Sequence, residues 1–207
     1  SVEFWNEFND DEDHSPLGLP AQSDWVLYAP NNFEPVLLHN PLAYQLSNEI
    51  GRYASRTRFV EVYLNTDGTS VSPANYNGVY VLDEKIKSDQ NRVDVAKLDP
   101  EDIAVPDITG GYIMKVDRLD PGDNGFYAAG QGIAYVYPKE ADINTPQRAP
   151  QKSYLQDSLD AFGAALNGAS YTNYATGFRA FVDTDSWVDH HILNVASFNV
   201  DALRLSA

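Results

Sequence analysis

The chain has no cysteine. That excludes disulfides, thiolate nucleophiles and Cys-based zinc or iron–sulfur centres, and it leaves the compartment open. No stretch approaches the ~18 consecutive apolar residues of a membrane-spanning helix. Basic residues are scarce, 14 Lys and Arg against 30 Asp and Glu, for a formal net charge of −16. A field of that sign repels phosphate backbones and anionic membranes, which argues against nucleic-acid binding. It attracts basic partners, or serves solubility alone. The chain opens without methionine, and SVEFWNEFNDDEDH carries no basic lead of the kind a signal peptide needs. Nor does SFNVDALRLSA at the other end carry a stop signal, so both ends are expected to be cuts from a longer protein. No G-x-S-x-G elbow and no G-x-x-x-x-G-K-[ST] phosphate loop occurs, and neither internal repeats nor low-complexity segments are found.

What is present is a globular composition. Of 207 residues 43% are hydrophobic and 12% aromatic, including 13 Tyr, enough to bury a core. Ser1 to Phe8 alternates as a strand, and the acidic run Asn9 to Asp13 reads as a solvated loop whose spacing fits no calcium site. Trp25 to Tyr28 is a short apolar stretch. In HNPLAYQLSNEIG, Asn40 suits the N-cap, Pro41 the first helical position and Gly51 the C′ residue. Leu42, Leu46, Ile50 and Tyr53 then share one helical face. TRFVEVYLN and GVYVLDEKI read as an antiparallel hairpin closed by the long loop TDGTSVSPANYN. RVDVAKL, GGYIMKVDRL and GFYAAGQGIAYVYPKE are expected to supply one further strand each. After TPQRAPQ the pattern turns helical, in KSYLQDSLDAFGAALNG and DTDSWVDHHILNVASFN, the second capped by Asp183 or Asp185. This order predicts an α+β protein, a sheet-rich lobe with one helix over 1–140 followed by helices over 141–207.

His190 and His191 are adjacent, so on a helix they point about 100° apart and cannot ligate one metal from one face as an i, i+4 pair does. The acids of D-T-D-S-W-V-D better suit a helix N-terminus than a calcium loop, because Trp187 stands where a third oxygen is needed.

Several segments together resemble the CotH family, in the right order and over nearly the whole chain. They are LGLPAQSDWVLYAP, HNPLAYQLSNEIG, YNGVYVLDEKIKSDQNRVDV, GGYIMKVDR and D-S-W-V-D-H-H-I-L-N-x-x-x-x-N-V-D-A-L-R-L-S. The resemblance implies a spore-coat or secreted bacterial protein with an atypical protein-kinase-like fold, here truncated at both ends. It implies phosphoryl transfer from ATP to Ser or Thr of a protein, with Mg²⁺ or Mn²⁺. Helix 41–50 would stand where such kinases brace the nucleotide-binding lysine. Glu84 and Lys85 would neighbour the nucleotide, or equally form an ordinary charged strand end. Asp201 in N-V-D would accept the substrate hydroxyl's proton, against a helix-end carboxylate making local hydrogen bonds. Ser206, five residues on, stands where better-known members carry a metal-binding Asn and is the metal-ligand candidate. The family's lysine and its later metal-binding Asp would lie outside the 207 residues, so the chain by itself is expected to be inactive. The acidic field would favour a basic, Ser/Lys-rich protein substrate at the cell surface, outside the cell or in the spore coat. Two other classes stay open: a non-catalytic surface or assembly module that keeps the fold, and a sugar binder stacking rings on Trp5, Trp25 and tyrosines.

Overall fold

The computed structural model describes residues 1–119 and 124–202. The chain is a mixed protein of antiparallel sheets and helices, in two compact units, Ser1–Ile86 and Lys87–Ala207.

The first unit is built on β1 (Val2–Glu3), β2 (Asp24–Tyr28), β3 (Thr57–Tyr63) and β4 (Tyr76–Glu84), in the order β1-β2-β4-β3, every pairing antiparallel. The hairpin expected from TRFVEVYLN and GVYVLDEKI is the β3–β4 pair. The strand expected over Ser1 to Phe8 reduces to two residues, because the chain turns back at Trp5, which bridges Asp11. Trp25 opposes Glu84 and Leu27 opposes Leu82, so these side chains share a face. On that face Leu19, Trp25 and Leu82 form a buried cluster, with Phe4, Leu27 and Val60 packed against it. The Trp25 indole N–H is satisfied by the Gln22 carbonyl at 2.8 Å, as a buried indole requires.

Helix α1 spans His39–Glu49. Its end follows the expectation: Gly51 sits at φ +83°, its N–H bonds the Asn48 carbonyl at 3.0 Å, and the Arg52 N–H reaches back to Ser47 at 2.9 Å. This is a Schellman closure with glycine in the left-handed region. Its start does not follow the expectation. The helix begins ahead of Asn40, and the carboxylate of Glu34 accepts from the Leu38 N–H and from the His39 N–H, the latter at 2.6 Å. An upstream carboxylate thus supplies the cap that Asn40 was expected to give. The Leu42, Leu46 and Ile50 face is about half exposed.

The second unit carries β5 (Ile113–Lys115), β6 (Phe126–Ala128) and β7 (Gln131–Tyr137) in the order β5-β7-β6. GFYAAGQGIAYVYPKE therefore makes two strands, not one. They turn through Ala129 and Gly130, at φ +51° and +80°. No regular strand forms over RVDVAKL, where Val93 makes only an isolated bridge to Ser88. Side chains hold that segment instead. Fully buried Gln151 donates to the Asp99 and Asp102 carbonyls at 2.6 and 3.1 Å, and Arg148 donates to the Leu98 carbonyl at 3.0 Å.

After the short helix α2 (Glu140–Ile143), helix α3 (Ala149–Asn167) lies against the β6–β7 hairpin. Asp160 accepts from the Ala129 N–H at 2.8 Å, and Gly163 lets the backbone of Ala129 approach. Helix α4 (Thr184–Ala196) is capped by Asp183, whose carboxylate accepts from the Asp185 N–H at 3.1 Å, in line with the expected acidic start.

Candidate functional site

Glu84 ends β4 with its side chain fully buried, and Arg56 meets it there. The Arg56 Nε and Nη2 lie 2.9 and 2.8 Å from Oε1, and the Arg56 N–H donates to Oε2 at 3.0 Å. Tyr53 adds a hydroxyl at 3.4 Å, and the Ser55 hydroxyl donates to the Glu84 carbonyl at 2.9 Å. A buried carboxylate is costly without such partners, and its position is set by them. Lys85, the next residue, turns to a different acid, Asp24, at 3.1 Å. Glu84 and Lys85 therefore do not converge on a common point. Both are engaged inside the first unit, whereas Asp201 belongs to the second.

Asp83, between Leu82 and Glu84 on β4, drew no notice in the sequence. It is 9% exposed, and its Oδ1 is shut off from solvent with no hydrogen-bond partner. Burial pushes its pKa up to about 7. Burial also raises the pKa of Tyr44 on α1 and Tyr28 on β2, with the charge of Asp83 adding to both and Glu34 adding to Tyr28. The signal available in the sequence was its register: Asp83 lies two residues from fully buried Val81 on the same strand face.

Asp201 lies five residues beyond the end of α4 and is exposed. The helix closes on a Schellman pattern, with the Phe198 N–H on the Val195 carbonyl at 3.2 Å and the Asn199 N–H on Asn194 at 3.0 Å. The left-handed position, normally glycine, is filled by Phe198 at φ +52°. Asn199 then turns its carbonyl oxygen to the Asp201 N–H at 3.3 Å and its amide nitrogen to the Asn194 side chain at 3.0 Å. The local hydrogen bonds to Asp201 thus involve its main chain, and the carboxylate projects from an anchored, solvent-facing turn.

Ser206 lies outside the described residues. Among the described residues no three His, Asp or Glu side chains converge on a point that would hold a metal ion. His190 and His191 do not form such a site either; His190 is bonded through its ring to Asn194 at 2.9 Å. Trp25 is fully buried and unavailable to stack on a sugar, whereas Trp5 is exposed. The second unit has an open cleft of about 400 Å³ walled by Tyr112, Met114, Tyr154, Phe162 and Trp187, and Asp201 is not among its walls. No helix among the described residues is long and apolar enough to cross a membrane.

No curated protein and no solved structure matches the chain. A family model described as CotH kinase protein matches residues 1–206, nearly its whole length. The chain belongs to the CotH family.

Proposed function

We propose that this chain is part of the kinase-like domain of a spore-coat or surface-associated CotH protein, and that the full-length protein transfers the γ-phosphoryl group of ATP to Ser or Thr hydroxyls of basic proteins. Family membership over residues 1–206 carries the reading. In it, Asp201 accepts the proton of the substrate hydroxyl as that oxygen forms its bond to phosphorus and the bond to ADP breaks. An exposed carboxylate on a turn whose main chain is fixed by hydrogen bonds suits a base that must reach an incoming hydroxyl. ATP, with Mg²⁺ or Mn²⁺ accompanying it, is the co-substrate. The net charge of −16 supports basic Ser/Lys-rich substrates through long-range attraction, an effect that salt weakens. The kinase-like fold and the location in the spore coat or outside the cell rest on the family.

The experiment is phosphate transfer from labelled ATP to a basic Ser-containing peptide by the full-length protein, at low and high salt. Transfer that falls with salt supports the reading, and no transfer under any divalent metal counts against it. One observation favours a second reading, a non-catalytic assembly module. Glu84, expected beside the nucleotide, is buried on Arg56. Coat assembly unaffected by Asp201→Asn would favour that module.

A further inference from the structure

Three side chains, those of His190, Asn194 and Asn199, link the body of α4 to the main chain at Asp201. Asn194 Nδ2 lies 2.9 Å from His190 Nε2 and 2.9 Å from the His190 carbonyl oxygen. Asn199 Nδ2 lies 3.0 Å from Asn194 Oδ1, and the Asp201 N–H lies 3.3 Å from Asn199 Oδ1.

The direction of every bond follows from the two ends. A main-chain N–H only donates, so the Asn199 atom facing Asp201 is its oxygen and the atom facing Asn194 is its nitrogen. A main-chain carbonyl only accepts, so the Asn194 atom facing His190 is its nitrogen and the atom facing Asn199 is its oxygen. The two assignments agree at the Asn194–Asn199 contact, where donor meets acceptor. The remaining Asn194 N–H points at His190 Nε2, which can accept it. Reversing either amide breaks two bonds at once, so the chain has one consistent polarity.

The same turn holds Phe198 in the left-handed region at φ +52°, a conformation strained for a non-glycine residue. Such strain persists where surrounding contacts over-determine the backbone, and it concentrates where geometry serves function. Here Asn199, the residue after the strained one, is bonded through both its side-chain atoms.

We propose that Asn194 and Asn199 are positioning residues, which fix the main chain at Asp201 to helix α4 through this oriented chain of side-chain hydrogen bonds. The inference rests on the proposed role of Asp201 for its functional meaning, though not for its geometry. Neither asparagine touches the reacting groups; they act through Asp201.

The test reads the Asp201 amide by NMR in the ¹⁵N-labelled protein carrying Asn194→Ala. Asn194 is seven residues from Asp201 and does not contact its amide, so a local structural role would leave that signal in place. The expected result is a displaced Asp201 amide proton whose exchange with solvent rises about fivefold, the loss of roughly one net hydrogen bond. The helical circular dichroism stays as in the wild type. An unmoved Asp201 amide overturns the proposal whatever the activity. Asn199→Ala, at an exposed position, gives a second reading of the same amide should Asn194→Ala not fold. In the full-length protein Asn199→Ala lowers kcat about 10- to 100-fold with KM for ATP within about twofold, since misplacement by ~1 Å acts on the transition state. An unchanged kcat overturns the positioning role. Full activity of Asp201→Asn is a separate result, which would sink the catalytic role of Asp201 while the amide result stood.

Discussion

Arg56 and Glu84 form an ion pair in which a partly exposed guanidinium and a main-chain N–H grip one buried carboxylate, at 2.8 to 3.0 Å. The pair ties the segment after α1 to the end of β4. Arg56→Ala leaves that carboxylate buried with its main charged partner gone, and is expected to cost about 3 kcal/mol. Glu84→Gln keeps the shape and loses the charge, for about 2 kcal/mol. Urea unfolding measures both, and the double variant should lose less than their sum because the two residues share one interaction. A loss under about 1 kcal/mol for Arg56→Ala would contradict a structural role for the pair.

Asp83 predicts an unusual pH dependence. Its folded pKa, about 7, lies above the ordinary value of 3.8, so the fold prefers the protonated acid. The stability it contributes is complete below pH 3.8 and is lost as pH rises through about 7. The melting temperature should therefore fall between pH 5 and 8, against the trend of carboxylates stabilised by ion pairs. Asp83→Asn should flatten that slope and raise Tm at pH 8 by about 5 °C. Tm falling equally in both proteins would contradict the assignment.

Gly163 sets two effects against each other. In an exposed helix interior Gly→Ala gains about 1 kcal/mol. Here a Cβ would sit 2.9 Å from the Ala129 Cα and 3.0 Å from its Cβ, and backbone in a tight turn cannot give way cheaply. Overpacking of that kind costs about 1–3 kcal/mol. Gly163→Ala should therefore lower Tm by differential scanning calorimetry, and a rise in Tm would mean that the α3–hairpin contact is looser than described.

Much of the fold was legible where local chemistry decides it. Gly51 closes α1 because the Schellman turn needs a left-handed residue, and Asp183 caps α4 because an acid suits the positive helix end. The β3–β4 hairpin followed from alternation. The misses came from partners distant in sequence or from unusual turn residues. Glu34 took the capping role from Asn40 by reaching forward to Leu38 and His39. The β6–β7 turn was hidden because Ala129-Gly130 fills a position where Asn-Gly is the readable signal. RVDVAKL has strand composition, yet Arg148 and Gln151, about fifty residues on, bind the backbone at its end, from Leu98 to Asp99. For the candidate site, the burial of Glu84 on Arg56 was not readable. Nothing in LDEKI distinguishes a buried acid held by an arginine from one facing a ligand.

The most direct measurement is the phosphotransfer rate of the full-length protein with Asp201→Asn, with ATP, a basic Ser-containing peptide and Mg²⁺ or Mn²⁺. The amide keeps size and hydrogen bonding and cannot take the hydroxyl's proton. The rate should fall about 10²- to 10⁴-fold, the usual contribution of a general base, with Tm unchanged within about 2 °C. A rate within about threefold of wild type in a folded protein would contradict the catalytic role of Asp201.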